Sequence, residues 1–178
     1  SAAGDESGAD VANPAALAAP KASQASGVHA TTQFLALQAA PGATIHYTLD
    51  GSLPTAQSPV YHQMLVLETS GVLRAAAFVP GQPSSAALTV TVAIEPARVQ
   101  ALDAVADLFL TVPPTEADTA VARPEVHAEL RAGGQLRGTA DLSVDAESLG
   151  TLPALPTGWV AAGQTVALYL NGRFAGLH

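Results

Sequence analysis

The segment Ile45–Thr55, IHYTLDGSLPT, passes from a strand pattern to a turn pattern and indicates the fold more strongly than any other stretch. Its apolar side chains at Ile45, Tyr47 and Leu49 alternate with polar ones. Because successive side chains of a strand point to opposite faces, these three should lie together on one face. The pattern predicts a β-strand with that face in a hydrophobic core.

The second part of this segment, DGSLPT, is rich in residues that favour tight turns. An aspartate can accept hydrogen bonds from backbone N–H groups two residues on, glycine adopts positive φ angles easily, and proline fixes its own φ angle. We therefore predict a rigid corner after the strand. The corner consists of Asp50, Gly51, Ser52, Pro54 and Thr55.

Short runs with a strand-like pattern occur along the rest of the chain, separated by residues that favour turns. Short strands at this spacing are typical of antiparallel β-sandwiches. The predicted strands are 33–39, 44–49, 64–68, 72–79 and 87–94 in the first half, and 106–112, 125–132, 135–144, 165–170 and 173–178 in the second. Residues 97–106 also fit a short helix with one apolar side.

Two glycine-containing dipeptides in the second half predict β-hairpins. Gly133-Gly134 lies between EVHAELRA and QLRGTADLSV, and Asn171-Gly172 lies between TVALYL and RFAGLH. Two-residue hairpin loops need positive φ angles, which glycine and asparagine adopt most readily. Between the hairpins, the Pro- and Gly-containing loop LGTLPALPTGW carries Trp159.

The chain is therefore predicted to be all-β, with two small antiparallel β-sandwich domains. Residues 1–19 are small, polar and poor in β-branched side chains, so we interpret them as a linker or disordered arm. Residues 20–96 form the first domain, and residues 97–178 form a second β domain that is expected to be incomplete. Ser1–Ala12 has no basic start and no apolar run, so the chain is either a mature form or an excerpt.

The composition excludes several classes of protein. Seven basic residues face fifteen acidic ones, for a net charge of −8, and no basic cluster is available for a nucleic-acid backbone. No apolar run approaches the ~20 residues of a membrane-spanning helix, so membrane insertion is not expected. Cysteine is absent, so the chain cannot form disulfides or thiolate metal sites. The few aromatic residues are expected to lie mostly in the core.

Three motifs in the first half resemble one domain family. YTLDGSLPT, SPVY and VLRAAAFVPGQPSS occur in the order found in the chitobiase/β-hexosaminidase C-terminal type of domain. The resemblance covers roughly residues 20–94 and implies an immunoglobulin-like or fibronectin III-like sandwich. It also implies an accessory role in secreted or cell-envelope bacterial proteins, with no catalytic residues and no cofactor in the domain itself.

Two residues are candidates for ligand binding, and each also has a structural interpretation. Asp50 is a single carboxylate, whereas calcium sites and glycoside hydrolysis need further oxygen ligands or a second carboxylate. Trp159 is a candidate stacking platform for a sugar, although a lone tryptophan is more often a core residue. His46 and His62 are expected at the surface, and no metal-binding or catalytic motif is present.

The sequence favours a non-catalytic accessory or scaffold module of a secreted or cell-surface bacterial protein. Such a module acts through contacts with proteins or neighbouring domains. The alternative is a carbohydrate-binding module attached to a polysaccharide-active enzyme, with a polysaccharide as the partner. An enzyme ranks third, because its site would have to come from the second half or from sequence outside the chain.

Overall fold

A computed structural model of the protein describes residues 16–97, 105–114, 125–144 and 153–178. These ranges contain strands and turns and no helix, which confirms the predicted all-β fold. The strands are β1 Lys21–Ala22, β2 Gly27–His29, β3 Gln33–Leu35, β4 Leu37–Gln38, β5 Thr44–Thr48, β6 Leu65–Leu67, β7 Gly71–Phe78, β8 Leu88–Ile94, β9 Ala106–Thr111, β10 Glu125–Ala132, β11 Gln135–Ser143, β12 Val166–Leu170 and β13 Arg173–Leu177.

Strands β1–β8 form the first β unit. Its main sheet has the order β2-β8-β7-β5, and the pairs β3-β6 and β1-β4 form two smaller sheets. Alternate side chains of these strands point inward, so leucine and valine residues from the main sheet meet those of β3 and β6. The resulting core contains Leu35, Leu37, Ile45, Leu67, Leu73, Ala75, Val90 and Val92.

Strands β9–β13 form the second β unit, a single sheet with the order β11-β10-β9-β12-β13. One face of this sheet has its own hydrophobic core, which includes Leu108, Val126 and Leu168. The opposite face of β9 and β12 carries Phe109 and Tyr169, which are also buried. The central strands are therefore apolar on both faces, and the first β unit covers the second face.

The two predicted hairpins are confirmed. The turn between β10 and β11 has φ angles of 58° at Gly133 and 74° at Gly134, and the turn between β12 and β13 has 47° at Asn171 and 80° at Gly172. Both turns join antiparallel strands. The dipeptides were therefore sufficient to predict the turn geometry.

The strand pairing is not wholly antiparallel, contrary to the prediction. Strand β12 pairs with β9 in parallel, and β2 pairs with β8 in parallel. Strand β12 starts only after the β10-β11 hairpin and a long connection, so the chain can cross back and enter the sheet beside the start of β9. Parallel neighbours require such a crossover, which a local turn pattern does not reveal.

Two local predictions were wrong in detail, and one aromatic residue departs from the general expectation that these residues are mostly buried. The strand predicted over 33–39 is broken at Ala36 into β3 and β4, which pair with different strands. Leu49, predicted in the core, is 45% exposed because β5 ends one residue before it. Phe34 is 55% exposed because its face of the two-stranded β3-β6 sheet carries no covering layer in the described ranges.

Several predictions fall on residues outside the described ranges. The linker or arm at 1–19 is described only from residue 16, and seven of the ten residues of the helix predicted over 97–106 lie in the undescribed segment 98–104. Its last residue, Ala106, begins β9. The domain boundary near residue 96 stays a prediction.

Candidate functional site

Short-range hydrogen bonds hold the corner that follows β5. The Ser52 amide donates to Asp50 Oδ1 at 3.0 Å, and the Ser52 hydroxyl donates to the same oxygen at 2.5 Å. These bonds favour the ionised carboxylate and hold the pKa of Asp50 below its ordinary value. The Thr48 hydroxyl donates to the Ser52 carbonyl at 2.6 Å and ties the corner to β5. Asp50 thus has a structural role in the turn.

The corner also contacts the second β unit. Gly51 is buried with a φ angle of +83°, and a Cβ atom at this position would lie 3.0 Å from Thr111 Cγ2. The glycine is needed both for its backbone conformation and for this close approach. The turn predicted from sequence is therefore part of the contact between the two β units. We call this contact the seam.

The hairpin turn at Asn171-Gly172 contacts the first β unit from the other side of the seam. A Cβ atom at Gly172 would lie 2.8 Å from the Val92 carbonyl oxygen and 3.0 Å from the Gly71 amide. The Asn171 side chain accepts from the Val112 amide at 2.8 Å and donates to the Val112 carbonyl at 3.1 Å. Each unit therefore places one glycine turn against the other.

An apolar cluster fills the middle of the seam. Ala93 of β8 packs with Phe109, Ala167 and Tyr169 of the second unit, and all four are buried. The ring centroids of Phe109 and Tyr169 are 5.1 Å apart, and those of Tyr169 and Phe174 are 5.7 Å apart. Aromatic rings at these separations attract one another beyond the area that they bury.

A buried polar chain crosses the seam beside this cluster. The Ser26 hydroxyl accepts from the Thr91 amide at 2.9 Å and donates to Glu129 Oε2 at 2.9 Å. The other carboxylate oxygen of Glu129 accepts from Arg131 Nε. Glu129 is only 5% exposed, so both of its oxygens need these partners.

An open cleft lies along one side of the seam. It has a volume of about 350 Å³, and a second cavity of about 660 Å³ shares Ala87, Thr89 and His127 with it. Residues of both β units form its walls. The smaller cavity is lined by Leu53, Arg74, Ala86, Ala87, Thr89, Pro113, Glu125, His127 and Asp141.

Arg74 is the most unusual residue of the cleft. It belongs to β7, is 7% exposed, and its Nε atom has no acceptor among the described residues. Burial lowers the pKa of Arg74, and the charge of Asp141 opposes that shift. A buried guanidinium with an unused N–H group is costly, and because Arg74 lines the cleft, the guanidinium is a candidate donor to a ligand oxygen.

His127 and Asp141 form the opposite wall of the cleft. His127 Nδ1 lies 2.9 Å from Asp141 Oδ1, so the imidazole donates to the carboxylate and fixes its orientation. His127 and Asp141 are register partners on β10 and β11. The second oxygen of Asp141 can then accept from another group.

The two predicted ligand-binding residues lie apart from this cleft. Trp159 is half-buried, packs against the core of the second β unit, and covers Gly138, where a Cβ atom would lie 2.7 Å from its ring. This packing corresponds to the structural interpretation of Trp159. Asp50 lines a separate depression beside Asn171. Neither residue lines the cleft.

The two histidines that were expected at the surface differ in their surroundings. His62 is exposed, whereas His46 is half-buried. His46 Nδ1 lies 2.7 Å from the Ser58 carbonyl oxygen, and its ring packs edge-on against Phe78 at 4.8 Å. The segment after the corner returns beside β5, which covers the face that carries His46.

Sequence reasoning did not identify the cleft residues, although two signals pointed to them. Arg74 is the only charged residue in the run VLRAAAFV, and an arginine in such an alanine-rich strand needs a particular partner or function. In EVHAELRA, the polar residues Glu125, His127, Glu129 and Arg131 alternate with apolar ones. That alternation predicts that the four polar side chains share one face of the strand, but it does not predict which part of the first β unit packs against that face.

Two kinds of feature are absent from the described ranges. No group of three or more His, Asp or Glu side chains is placed there to bind a metal ion. The same ranges contain no helix that is long and apolar enough to cross a membrane.

The fold and the seam together define a two-part β protein in which the first part is a small sandwich. Residues 24–89, within that sandwich, match the family model of the chitobiase/beta-hexosaminidase C-terminal domain. The match confirms the resemblance inferred from the three motifs. No curated protein is significantly similar to the chain.

Proposed function

We propose that this chain is a non-catalytic accessory module of a secreted or cell-surface bacterial protein, and that it acts by holding neighbouring domains or proteins in place. The match of residues 24–89 to a C-terminal domain of glycosidase-type proteins supports an accessory role. The seam is the observation that carries the proposal. The seam supports the interpretation that the first β unit, which contains the matched residues, holds the second β unit against its own corner and β8.

The seam has the features of a fixed interface. It combines a buried apolar cluster, a buried polar chain and two glycine turns that approach the opposite backbone. Close packing around a hydrogen-bonded polar chain favours one relative orientation over many. Two units joined in this way keep a fixed distance and orientation between the groups that each of them binds.

This proposal is tested by a distance measurement across the seam. The chain has no cysteine, so Gln82→Cys and Gln135→Cys would give one exposed attachment site for a spin label on each unit. We expect electron–electron resonance to give a single narrow distance distribution. A broad distribution in the unaltered background would show that the units are not held together and would overturn the proposal.

A matched pair of glycine substitutions sharpens this measurement. Gly51→Val places a side chain against Thr111, whereas Gly42→Val introduces the same strain at nearly the same φ angle, +82°, with nothing within 4 Å. We expect the first variant to broaden the distribution and the second to leave it narrow. Equal distributions in the two folded variants would show that the corner does not hold the units.

The proposed absence of catalysis is tested separately. We expect no hydrolysis of chromogenic β-N-acetylglucosaminides, β-glucosides or peptides above that of a heat-denatured sample. Activity that survives repurification and disappears with a cleft substitution would make the chain an enzyme.

Carbohydrate binding is a second candidate, and Arg74 favours it. The cleft offers a buried donor without an acceptor in the described ranges, which is a feature of polar ligand sites. The test is retention of the purified chain on insoluble chitin, cellulose and peptidoglycan at low and high salt. Retention on one polymer that resists salt supports this function, and no retention on any of them counts against it.

A further inference from the structure

The cleft has enough space and enough donors and acceptors for a small ligand. Its volume of about 350 Å³ falls in the range of ~300–1,000 Å³ that is usual for small-molecule pockets. Such pockets combine apolar walls with a few convergent polar groups. Here Leu53, Pro113 and Ala86 provide apolar surface, and Arg74 and Asp141 provide the polar groups.

The charges of the cleft indicate an uncharged ligand. The cleft and the neighbouring cavity are lined together by three cations, Lys21, Arg74 and Arg131, and by three carboxylates, Glu125, Glu129 and Asp141. In the smaller cavity around Arg74, two of these carboxylates face one arginine. An anion beside Arg74 would be repelled by Glu125 and Asp141, and a cation beside them would be repelled by Arg74.

Hydroxyl groups fit this mixture of fixed charges. A hydroxyl oxygen can accept from the Arg74 N–H group while its own O–H group donates to a carboxylate. Asp141 is oriented by His127, so one wall of the cleft is preorganised as an acceptor. The apolar wall can contact the C–H groups of a sugar ring.

Building on carbohydrate binding as the second candidate function, we infer that this cleft holds one neutral sugar ring. A ring oxygen or an N-acetyl carbonyl accepts from the guanidinium of Arg74, and a ring hydroxyl donates to Asp141. Leu53 and Pro113 contact the ring. Trp159 takes no part, because it covers Gly138 on the other face of the second sheet.

The inference is tested by following the arginine Nε–Hε signals in two-dimensional NMR. The sequence contains six arginines, and Arg74→Lys identifies the signal of Arg74 by its loss. The probes are N-acetylglucosamine, glucose and glucuronate. We expect a saturable shift of the Arg74 signal with at least one neutral sugar, and at least threefold weaker binding of glucuronate than of glucose.

Two substitutions separate the cleft from the rest of the surface. Asp141→Asn replaces the charged acceptor of an exposed cleft side chain with a weaker, neutral one and should weaken binding by about fivefold. Arg137→Met affects an exposed residue of the same strand that lines neither cavity, and it should leave binding unchanged.

The outcomes distinguish the site from the function. Failure of all three sugars to move the Arg74 signal, or tighter binding of glucuronate, would overturn the inferred site. Retention of Arg74→Lys and Asp141→Asn variants on a polymer that also retains the unaltered chain would leave carbohydrate binding intact but move it away from the cleft. If Asp141→Asn loses both its retention on the polymer and the sugar-induced shift of the Arg74 signal, the result supports both the inferred site and carbohydrate binding.

Discussion

The two hairpin turns of the second β unit have nearly the same backbone geometry and very different surroundings. Gly133-Gly134 and Asn171-Gly172 both adopt two successive positive φ angles at opposite edges of one sheet. A Cβ atom at Gly133 or Gly134 would meet nothing within 4 Å, whereas one at Gly172 would collide with backbone atoms of the first unit. Gly133-Gly134 therefore only reverses the chain, whereas Asn171-Gly172 reverses the chain and also contacts the first unit at the seam.

The largest expected effect comes from breaking the buried turn. Gly172→Ala combines left-handed strain of ~1–2 kcal/mol with a clash against the Val92 carbonyl, and overpacking typically costs ~1–3 kcal/mol. We expect the free energy of unfolding to fall by about 3 kcal/mol. Chemical denaturation followed by Trp159 fluorescence measures it.

Gly134→Ala is the matched control for this change. Its φ angle is +74° and its surroundings are open, so only the conformational strain of about 1 kcal/mol applies. A loss at Gly134 as large as the loss at Gly172 would show that contact across the seam adds nothing to stability.

The asparagine of the buried turn contributes through its side chain. Asn171→Gly keeps a residue that accepts positive φ but removes the two hydrogen bonds to Val112. Each such bond is worth about 1 kcal/mol, so unfolding should become easier by about 2 kcal/mol. The control for this effect is Asn171→Asp. An aspartate keeps the acceptor for the Val112 amide but faces the Val112 carbonyl with a second oxygen, so it should be no more stable than the glycine variant.

The contrast between the turns also shows what could be predicted from sequence. The alternation in EVHAELRA and the dipeptide after it predicted strand β10 and its turn, because both depend on neighbours in sequence. The parallel position of β12 beside β9 depends on a long crossover, and no local pattern specifies it. Secondary structure was therefore more predictable than sheet order.

The cleft illustrates the same limit for the candidate site. The role of Asp50 in a turn could be inferred from sequence, since its partner Ser52 is two residues away. Arg74, by contrast, meets Asp141 only because the two units dock, and that meeting is set by buried packing among Ala93, Phe109 and Tyr169. Residues of a site formed between two units cannot be grouped by spacing along the chain.

The corner beside the buried turn gives a smaller, pH-dependent effect. Asp50→Ala removes the acceptor for both Ser52 groups and should cost about 1 kcal/mol at pH 7, as for a lost cap. Because the pKa of Asp50 is lowered in the folded state, its ionisation stabilises the fold above the ordinary carboxyl pKa. That contribution is lost as the pH falls through the lowered value.

The measurement compares the unaltered chain with Asp50→Asn by denaturation between pH 7 and pH 2. Asparagine retains a neutral acceptor for the Ser52 amide, so the difference in stability should shrink as the solution is acidified. A difference that stays constant over this range would mean that the charge of Asp50 plays no part in the corner.

The smallest expected effect has the opposite sign and tests whether the exposed turn is only a chain reversal. Gly133→Asn gives this turn the Asn-Gly dipeptide of the buried one, at a φ angle of 58° where the structure already holds Asn171 at 47° in the equivalent position. Asparagine tolerates this conformation and restricts the unfolded chain more than glycine does, so we expect a gain of ~0.5 kcal/mol. The gain should appear as a higher denaturation midpoint with an unchanged slope. A loss of stability would mean that a neighbour approaches the exposed turn as closely as one approaches Gly172, and the contrast between the two edges of the sheet would then be wrong.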